Sequence, residues 1–155
     1  MNAVYAGSFN PIHLGHMDVI KRAVKIFGSL IVVVSNNSNK DYNLNKFQRM
    51  TLVKMAIEAE SLGNQVKVTV LHDNETIAEF AENNDANVII RGVRSSSDLP
   101  FEFMMAEVNR DNNVETILLP SSPIYSNLSS SMVRECLKYK LPIDKYVPKA
   151  VIENL

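Results

Sequence analysis

Residues 7–16 of this chain read Gly7-Ser8-Phe9-Asn10-Pro11-Ile12-His13-Leu14-Gly15-His16. They follow a short apolar run, Ala3-Val4-Tyr5-Ala6, and precede a pattern of apolar residues spaced by three and four from Met17 onward. A strand, then a turn with glycine, proline and a hydroxyl group, then a helix is an arrangement that presents a phosphate to a helix N-terminus. This stretch therefore predicts an α/β fold and marks the core of an active site.

His13 and His16 are the candidate chemical groups of this stretch. Imidazole N–H groups can donate hydrogen bonds to phosphate oxygens whose negative charge grows during a reaction. Two other interpretations remain open, because a histidine at a helix start is often a cap and a His-x-x-His pair can be half of a metal site. The sequence disfavours the metal site, since its third histidine, His72, and its one cysteine, Cys136, lie far away. We therefore predict no metal ligand among the side chains.

The composition excludes several classes of protein. A chain of 155 residues fits a single domain spanning residues 1–155, and 46% hydrophobic with 21% charged residues is ordinary for a globular protein. A net charge of −1, with no basic run longer than two residues, argues against nucleic acid as a partner. No apolar stretch approaches the roughly 20 residues of a membrane helix. We expect a cytoplasmic protein without a membrane partner.

Strand and helix patterns alternate along the rest of the chain. The run Leu30–Val34 is apolar throughout, as expected for a parallel strand that is buried on both faces. The alternation predicts a doubly wound sheet of five parallel strands. The strands are predicted at 3–6, 30–34, 65–71, 87–90 and 115–119, and the helices at 17–27, 46–60, 74–84, 99–109 and 132–139. In the second helix, the predicted inward residues are Phe47, Met50, Val53, Ala56 and Ile57.

Cationic and hydroxyl side chains follow the predicted strands at their carboxyl ends, where open α/β sheets bind ligands. Lys40 follows the second strand, and Arg91 and Arg94 follow the fourth. Ser129–Ser131 precede the last long helix, whose unpaired N–H groups and dipole favour an anion. From position alone, Lys40 could be an exposed loop residue and one serine could simply cap the helix. The two arginines favour a phosphate site, because guanidinium binds phosphate bidentately.

Four of these features together resemble one family within the nucleotidyltransferase superfamily. They are the His-x-Gly-His loop, Lys40, the run Arg91-Gly92-Val93-Arg94, and the segment Leu128-Ser129-Ser130-Ser131-Met132-Val133-Arg134-Glu135. The chain resembles the phosphopantetheine adenylyltransferases over nearly its whole length. The resemblance implies a Rossmann-like fold and, with Mg2+ as cofactor, transfer of AMP from ATP to 4'-phosphopantetheine. The products would be dephospho-coenzyme A and pyrophosphate, and coenzyme A is a candidate feedback ligand.

The resemblance also implies roles for individual residues. His16 would stabilise the transition state at the α-phosphate, with His13 beside it, and Lys40 and Arg91 would hold the acceptor phosphate. The implied acceptor contacts are Ser8, Lys40, Ile77 and Arg91. The implied ATP contacts are Ser8, Phe9, His16, Gly92, Val93, Arg94, Glu102, Tyr125, Ser126, Asn127, Leu128, Ser129, Ser130 and Ser131. Members of the family form hexamers, so the resemblance implies a homo-oligomer.

Five residues depart from the usual pattern of the family and bear on its fine specificity. Asn10 replaces an aspartate, His13 stands where many members have threonine, and Asn127 replaces an aromatic residue. Pro100 and Phe101 alter a segment that the resemblance places near the adenine. A transferase that uses nicotinate mononucleotide or another small acceptor is therefore one alternative. A nucleotide-binding regulator without turnover is a second. The predicted helix at 99–109 carries apolar residues on more than one face, which fits either core packing or an oligomer contact.

Overall fold

The computed structural model describes residues 2–36 and 42–155 and shows a five-stranded parallel sheet with helices on both faces. The strands are β1 (Asn2–Gly7), β2 (Leu30–Val34), β3 (Val66–Val70), β4 (Ala86–Val93) and β5 (Glu115–Pro120). The helices are α1 (Leu14–Phe27), α2 (Lys46–Ala59), α3 (Ile77–Asn83), α4 (Leu99–Asp111) and α5 (Ser130–Lys138). Short 3-10 helices span Ser96–Asp98, Pro123–Tyr125 and Lys149–Asn154.

The strand order is β3-β2-β1-β4-β5, and every pair is parallel. The chain winds from β1 to one edge of the sheet, crosses back, and then winds to the other edge. This confirms the predicted α/β fold with a doubly wound sheet. A crevice forms at the carboxyl ends of β1 and β4, where the direction of winding reverses, and such a crevice is the usual ligand site of this fold.

Alternate residues of β1 face two separate cores. Ala3 and Tyr5 pack in the larger core with α1, α2, α5 and the C-terminal segment, whereas Val4 and Ala6 pack with α3 on the other face. Burial on both faces explains why the central strands are apolar without alternation. The central position of β1 also brings the turn that follows it to the middle of the crevice.

β4 is longer than its sequence pattern predicts. We expected the strand to end at Ile90, but Arg91 and Gly92 still pair with Leu118 and Leu119 of β5. Backbone pairing with a neighbouring strand does not require an apolar side chain, so the polar residues concealed the end of the strand. Arg91 is therefore held on the sheet itself rather than on a loop.

The prediction for the inward face of α2 is wrong at Phe47, and it missed the buried residues Arg49 and Leu52. Phe47 is 57% exposed, whereas Arg49 has no exposed surface. The buried residues of this helix are Arg49, Leu52, Val53, Ala56 and Ile57. Apolar spacing locates the buried face of a helix, but it cannot show that polar backbone groups beside that face require a donor.

Among the described residues, no helix combines the length and the apolar character needed to span a bilayer. In α4, the side chains of Phe101, Phe103, Met104 and Val108 are all about half exposed. These four residues form an exposed apolar face, here called the α4 face. Within the chain, the α4 face is therefore at the surface and not in the core.

Candidate active site

A cavity of about 370 Å³ opens at the carboxyl ends of β1 and β4. Its volume lies within the range of small-molecule sites. Twelve predicted site residues line it: Ser8, His13, His16, Arg91, Gly92, Arg94, Glu102, Tyr125, Leu128, Ser129, Ser130 and Ser131. The fold thus brings together residues that are up to 123 positions apart in the sequence, counted from Ser8 to Ser131.

The two histidines cap α1 reciprocally. His13 is the N-cap residue, and its Nδ1 accepts a hydrogen bond from the backbone N–H of His16 at 3.3 Å. In return, the His16 Nδ1 accepts from the backbone N–H of His13 at 3.2 Å. The arrangement is a capping box in which imidazoles replace the usual hydroxyl and carboxylate groups. The His13 N–H thereby gains an acceptor, and the His16 N–H is shared between the His13 Nδ1 and the His13 carbonyl, which lies 3.0 Å away.

This capping box determines where each imidazole carries its proton. A ring nitrogen that accepts a hydrogen bond has no proton, so both His13 and His16 hold theirs on Nε2. Burial, with a contribution from the charge of Arg94, lowers the pKa of His13 to about 4. The two rings are stacked with centroids 3.6 Å apart. The two imidazole rings, which both line the cavity, are therefore fixed in orientation before any ligand binds.

Gly15 is required by the position of the His13 ring. A Cβ atom at residue 15 would lie 3.0 Å from Cε1 and Nδ1 of His13, which is closer than ordinary contact. The glycine of the His-x-Gly-His motif therefore leaves room for the first histidine. A larger residue would move that ring and disturb the capping box.

Arg91 and Glu102 form a bidentate ion pair in the wall of the cavity. Nε and Nη2 of Arg91 donate to the two carboxylate oxygens of Glu102 at 2.8 and 2.9 Å, and Nη1 donates to the Ala6 carbonyl at 3.4 Å. Burial opposes the charge of Arg91, but the bonds to Glu102 outweigh it and raise the pKa of Arg91. The charges of Arg91 and Glu102 also act on Tyr5, but burial of its hydroxyl is the larger effect and raises the pKa of Tyr5.

The three serines before and within α5 have three different partners. Ser129 caps the helix by accepting from the Met132 N–H at 3.1 Å, and the Ser130 hydroxyl donates to the Pro11 carbonyl at 2.9 Å. Ser131 accepts a hydrogen bond from Nη2 of Arg134 at 3.2 Å. Only the first of these bonds is helix capping. Of the other two, the Ser130 bond joins α5 to the turn after β1, and the Ser131 bond lies within α5 and reaches a side chain that also lines the cavity.

Six predicted site residues are not part of this lining, as far as the described residues define it. They are Phe9, Ile77, Val93, Ser126, Asn127 and Lys40, of which Lys40 lies outside the described residues. The side chains of Phe9 and Val93 are buried, and Ile77 packs against the smaller core. Phe9 could therefore meet a ligand in the cavity only through its backbone. The ligand contacts assigned to these six residues remain predictions.

Five polar residues of the lining were not predicted as site residues: Tyr5, Ser35, Asp98, Ser121 and Arg134. Arg134 donates through Nη1 to the Asn10 carbonyl at 2.7 Å, Asp98 accepts from the Arg94 N–H at 2.9 Å, and Tyr5 belongs to β1. The spacing could have indicated Arg134, because it lies four residues after Ser130 and hence on the same side of α5. No sequence signal distinguishes Tyr5 or Asp98 from a structural residue.

Comparison with known proteins agrees with this geometry. The profile of the cytidylyltransferase-like family matches residues 4–136. A phosphopantetheine adenylyltransferase of Pelagibacter ubique is 36% identical over 155 residues, covering 99% of this chain and 94% of that protein. Another, of Geotalea daltonii, is 39% identical over 155 residues, covering 99% and 93%. The chain belongs to the phosphopantetheine adenylyltransferase family.

Solved structures support the fold of this phosphopantetheine adenylyltransferase family member. A candidate nicotinate-nucleotide adenylyltransferase of Vibrio parahaemolyticus matches with a TM-score of 0.75, covering 98% of this chain and 89% of that one. Its sequence identity is 21%, so the likeness concerns the fold alone. The resemblance to phosphopantetheine adenylyltransferases is confirmed, and the protein is a nucleotidyltransferase.

The residues of this nucleotidyltransferase suit Mg2+ only when the ion is bound to the phosphates of the nucleotide. Within 2–36 and 42–155, no three His, Cys, Asp or Glu side chains are grouped as a metal site. The two carboxylates of the lining are already bonded, Glu102 to Arg91 and Asp98 to backbone N–H groups. Magnesium commonly keeps its waters and binds through substrate phosphates. The donor set therefore fits an ion that arrives on ATP, not one held in a protein cage.

Proposed function

We propose that this protein transfers AMP from ATP to 4'-phosphopantetheine, giving dephospho-coenzyme A and pyrophosphate. The observation that carries the proposal is the cavity, where fixed imidazole, guanidinium and serine groups from separate segments surround one space. Similarity over the whole chain to proteins named phosphopantetheine adenylyltransferase supports the choice of acceptor. Mg2+ bound to the triphosphate would neutralise part of its charge.

The proposed reaction needs no nucleophile from the protein. An oxygen of the acceptor phosphate attacks the α-phosphorus of ATP, and the bond from that phosphorus to the oxygen bridging to the β-phosphate breaks. Pyrophosphate leaves with the electron pair of that bond. The acceptor phosphate is already an anion near neutral pH, so no general base is required. The protein has to align two anions and stabilise the charge that develops between them.

The cavity supplies groups suited to that task. In this proposal, the Nε2–H of His16 donates to the α-phosphate, where its fixed orientation avoids reorganisation during the reaction. Three of the five N–H groups of Arg91 have described acceptors, which leaves two for the acceptor phosphate. Arg94, Arg134 and the N-terminus of α5 would face the triphosphate. Lys40 remains a predicted contact of the acceptor.

Further features are proposed on the same basis. The protein would work in the cytoplasm, with coenzyme A as a candidate feedback ligand, and cell fractionation and inhibition assays would test these points. It would also assemble as a homo-oligomer, with hexamers as the expectation from the family. The α4 face supports assembly, because exposed apolar patches often mark contacts between proteins.

Pyrophosphate release tests the choice of acceptor. The protein is incubated with ATP and Mg2+ in three parallel reactions, with 4'-phosphopantetheine, with nicotinate mononucleotide and with neither. We expect release only with 4'-phosphopantetheine, and mass spectrometry should detect dephospho-coenzyme A. Release only with the mononucleotide would support adenylyl transfer but contradict the choice of 4'-phosphopantetheine as the acceptor. No release with either acceptor would support a regulator without turnover.

Two variants of His16 separate catalysis from capping. His16→Ala removes both the Nε2–H and the acceptor of the His13 N–H, whereas His16→Gln keeps a side-chain acceptor at the third helical position. We expect kcat to fall by roughly 100-fold or more in both variants, in the range for one lost oxyanion donor. Thermal stability should fall only in His16→Ala. Turnover near that of the unsubstituted protein in both variants would remove His16 from the mechanism.

A further inference from the structure

Arg49 is a buried arginine that lies outside the cavity lining but next to the turn that forms it. It has no exposed surface, although it belongs to a helix face that is otherwise apolar. Nε donates to the Leu44 carbonyl at 3.1 Å, Nη1 to the Ser35 carbonyl at 3.0 Å, and Nη2 to Oδ1 of Asn36. The ring of Tyr42 covers one face of the guanidinium at 4.1 Å. These four contacts fix the guanidinium in one position.

The partners of Arg49 differ from those of an ordinary buried arginine. Within the described part of the chain, its hydrogen bonds all end on neutral carbonyl or amide oxygens, and no carboxylate pairs with it. Burial lowers the pKa of the guanidinium, yet arginine stays charged at neutral pH. A buried cation is costly without a partner. An apolar residue at this position would be sufficient for core packing. The arginine is therefore needed for its hydrogen bonds.

The remaining bond of Nη1 goes to the backbone carbonyl of Ser8. The Ser8–Phe9 peptide is trans, so the carbonyl oxygen of Ser8 and the N–H of Phe9 point in opposite directions. Ser8 lines the cavity and Arg49 does not. The carbonyl is therefore directed toward Arg49, and the N–H of Phe9 points to the opposite side of the peptide.

Phe9 adopts a backbone conformation that needs support. Its φ of 44° lies in the left-handed region, which is unfavourable for a bulky residue. Its buried ring is held edge-on by Tyr5 and His16, with centroids 5.6 and 4.9 Å away. The ring contacts hold the side chain of Phe9. The bond from Arg49 to the Ser8 carbonyl holds the Ser8–Phe9 peptide.

We propose that Arg49 is a positioning residue that holds the Ser8–Phe9 peptide with its N–H available to a substrate phosphate. The proposal rests on the proposed function, because the phosphate is that of ATP or of the acceptor. Arg49 does not touch the substrate in this arrangement. It acts through the Ser8 carbonyl, and Leu44, Ser35, Asn36 and Tyr42 keep it in place.

Kinetics of Arg49→Lys test the proposal, because lysine keeps the charge but loses the planar fork. Arg110→Lys is the matched control, since Arg110 is exposed and pairs only with Glu115 among the described groups. At a temperature where circular dichroism shows both variants folded, we expect Arg49→Lys to lower kcat about 10- to 100-fold, as for a small misplacement of a reacting group. KM should change less, and Arg110→Lys should be unaffected. A folded Arg49→Lys with unchanged kcat would overturn the proposal.

A second measurement does not depend on turnover. The chain has six phenylalanines, so labelling with 15N-phenylalanine gives six backbone amide signals, and Phe9→Leu identifies that of Phe9. On titration with inorganic pyrophosphate, the Phe9 signal should shift more than the other five. A Phe9 signal that does not move would overturn the proposal. If the Phe9 signal shifted in this way in the unsubstituted protein but not in Arg49→Lys, while the unsubstituted protein released no pyrophosphate from ATP, the proposed function would fail and the role of Arg49 would stand.

Discussion

The two imidazoles of the His-x-Gly-His loop have a structural role, and the chemical role proposed for His16 uses a different ring nitrogen. Nδ1 of each ring caps α1, and both rings belong to the lining of the cavity. Because capping fixes the rings, a ligand does not have to order them. The same arrangement makes protonation of His13 unfavourable, since a proton on Nδ1 would break the cap.

The low pKa of His13 predicts a pH dependence of stability. The folded value of about 4 is below the ordinary value of 6.5. As the pH falls from about 6.5 to 4, the unfolded chain binds a proton that the folded chain does not, so stability decreases by up to roughly 3 kcal/mol. Urea unfolding at pH 7 and pH 4.5 measures the loss, and His13→Thr, which keeps a capping hydroxyl, should show a smaller one. Equal losses in the two proteins would contradict this assignment.

At the scale of secondary-structure elements, side-chain bonds join the elements that meet at the cavity. Arg91 on β4 pairs with Glu102 on α4, and Ser130 on α5 binds the Pro11 carbonyl of the turn after β1. These bonds connect segments that are far apart in sequence. The shape of the cavity therefore depends on a few polar contacts as well as on the two cores.

The pair of Arg91 and Glu102 should be strongly coupled. Glu102 is nearly buried, so its removal leaves a partly buried guanidinium with unsatisfied donors. We expect Glu102→Gln to lower the free energy of unfolding by about 1.5–3 kcal/mol, the range for hydrogen bonds to charged groups. A double-mutant cycle with Arg91→Met, followed by urea unfolding, measures the coupling directly. Additive effects of the two substitutions would show that the pair does not stabilise the fold.

The bond from Ser130 to the turn should affect ATP binding. Ser130→Ala removes the bond between α5 and the turn, whereas the control Thr51→Ala removes a local bond to the Phe47 carbonyl on α2. We expect Ser130→Ala to weaken ATP binding several-fold, in line with one hydrogen bond of about 1 kcal/mol. Thr51→Ala should leave binding unchanged, as calorimetric titration would show. Equal affinities would mean that this contact does not shape the ATP site.

For the whole molecule, the α4 face predicts assembly. Phe103 is 57% exposed, and a charge at this position should oppose burial between subunits. By sedimentation velocity, we expect the unsubstituted protein to be larger than its chain mass of 17.4 kDa and Phe103→Glu to dissociate. Ile26→Glu is the control, because Ile26 is 60% exposed on α1, away from this face. A monomeric unsubstituted protein would rule out this assembly.

Local patterns were sufficient to predict most of the fold. The positions of all five strands and five long helices followed from apolar periodicity and from the residues that end helices, such as Gly28 after α1. The motif residues His16, Arg91 and Ser129 were predicted as site residues, and they do line one cavity. Each of these signals lies within one element or at its end.

The sequence by itself determined the order of strands and helices along the chain. It thereby also indicated that the candidate binding residues lie at the carboxyl ends of the strands. Only the tertiary structure decided that β4 extends through Arg91, that Glu102 pairs with Arg91, and that Arg49 is buried beneath the turn. These features depend on backbone and side-chain groups that meet across distant parts of the chain. A periodic pattern records which face of an element is buried, but not which polar groups it meets there.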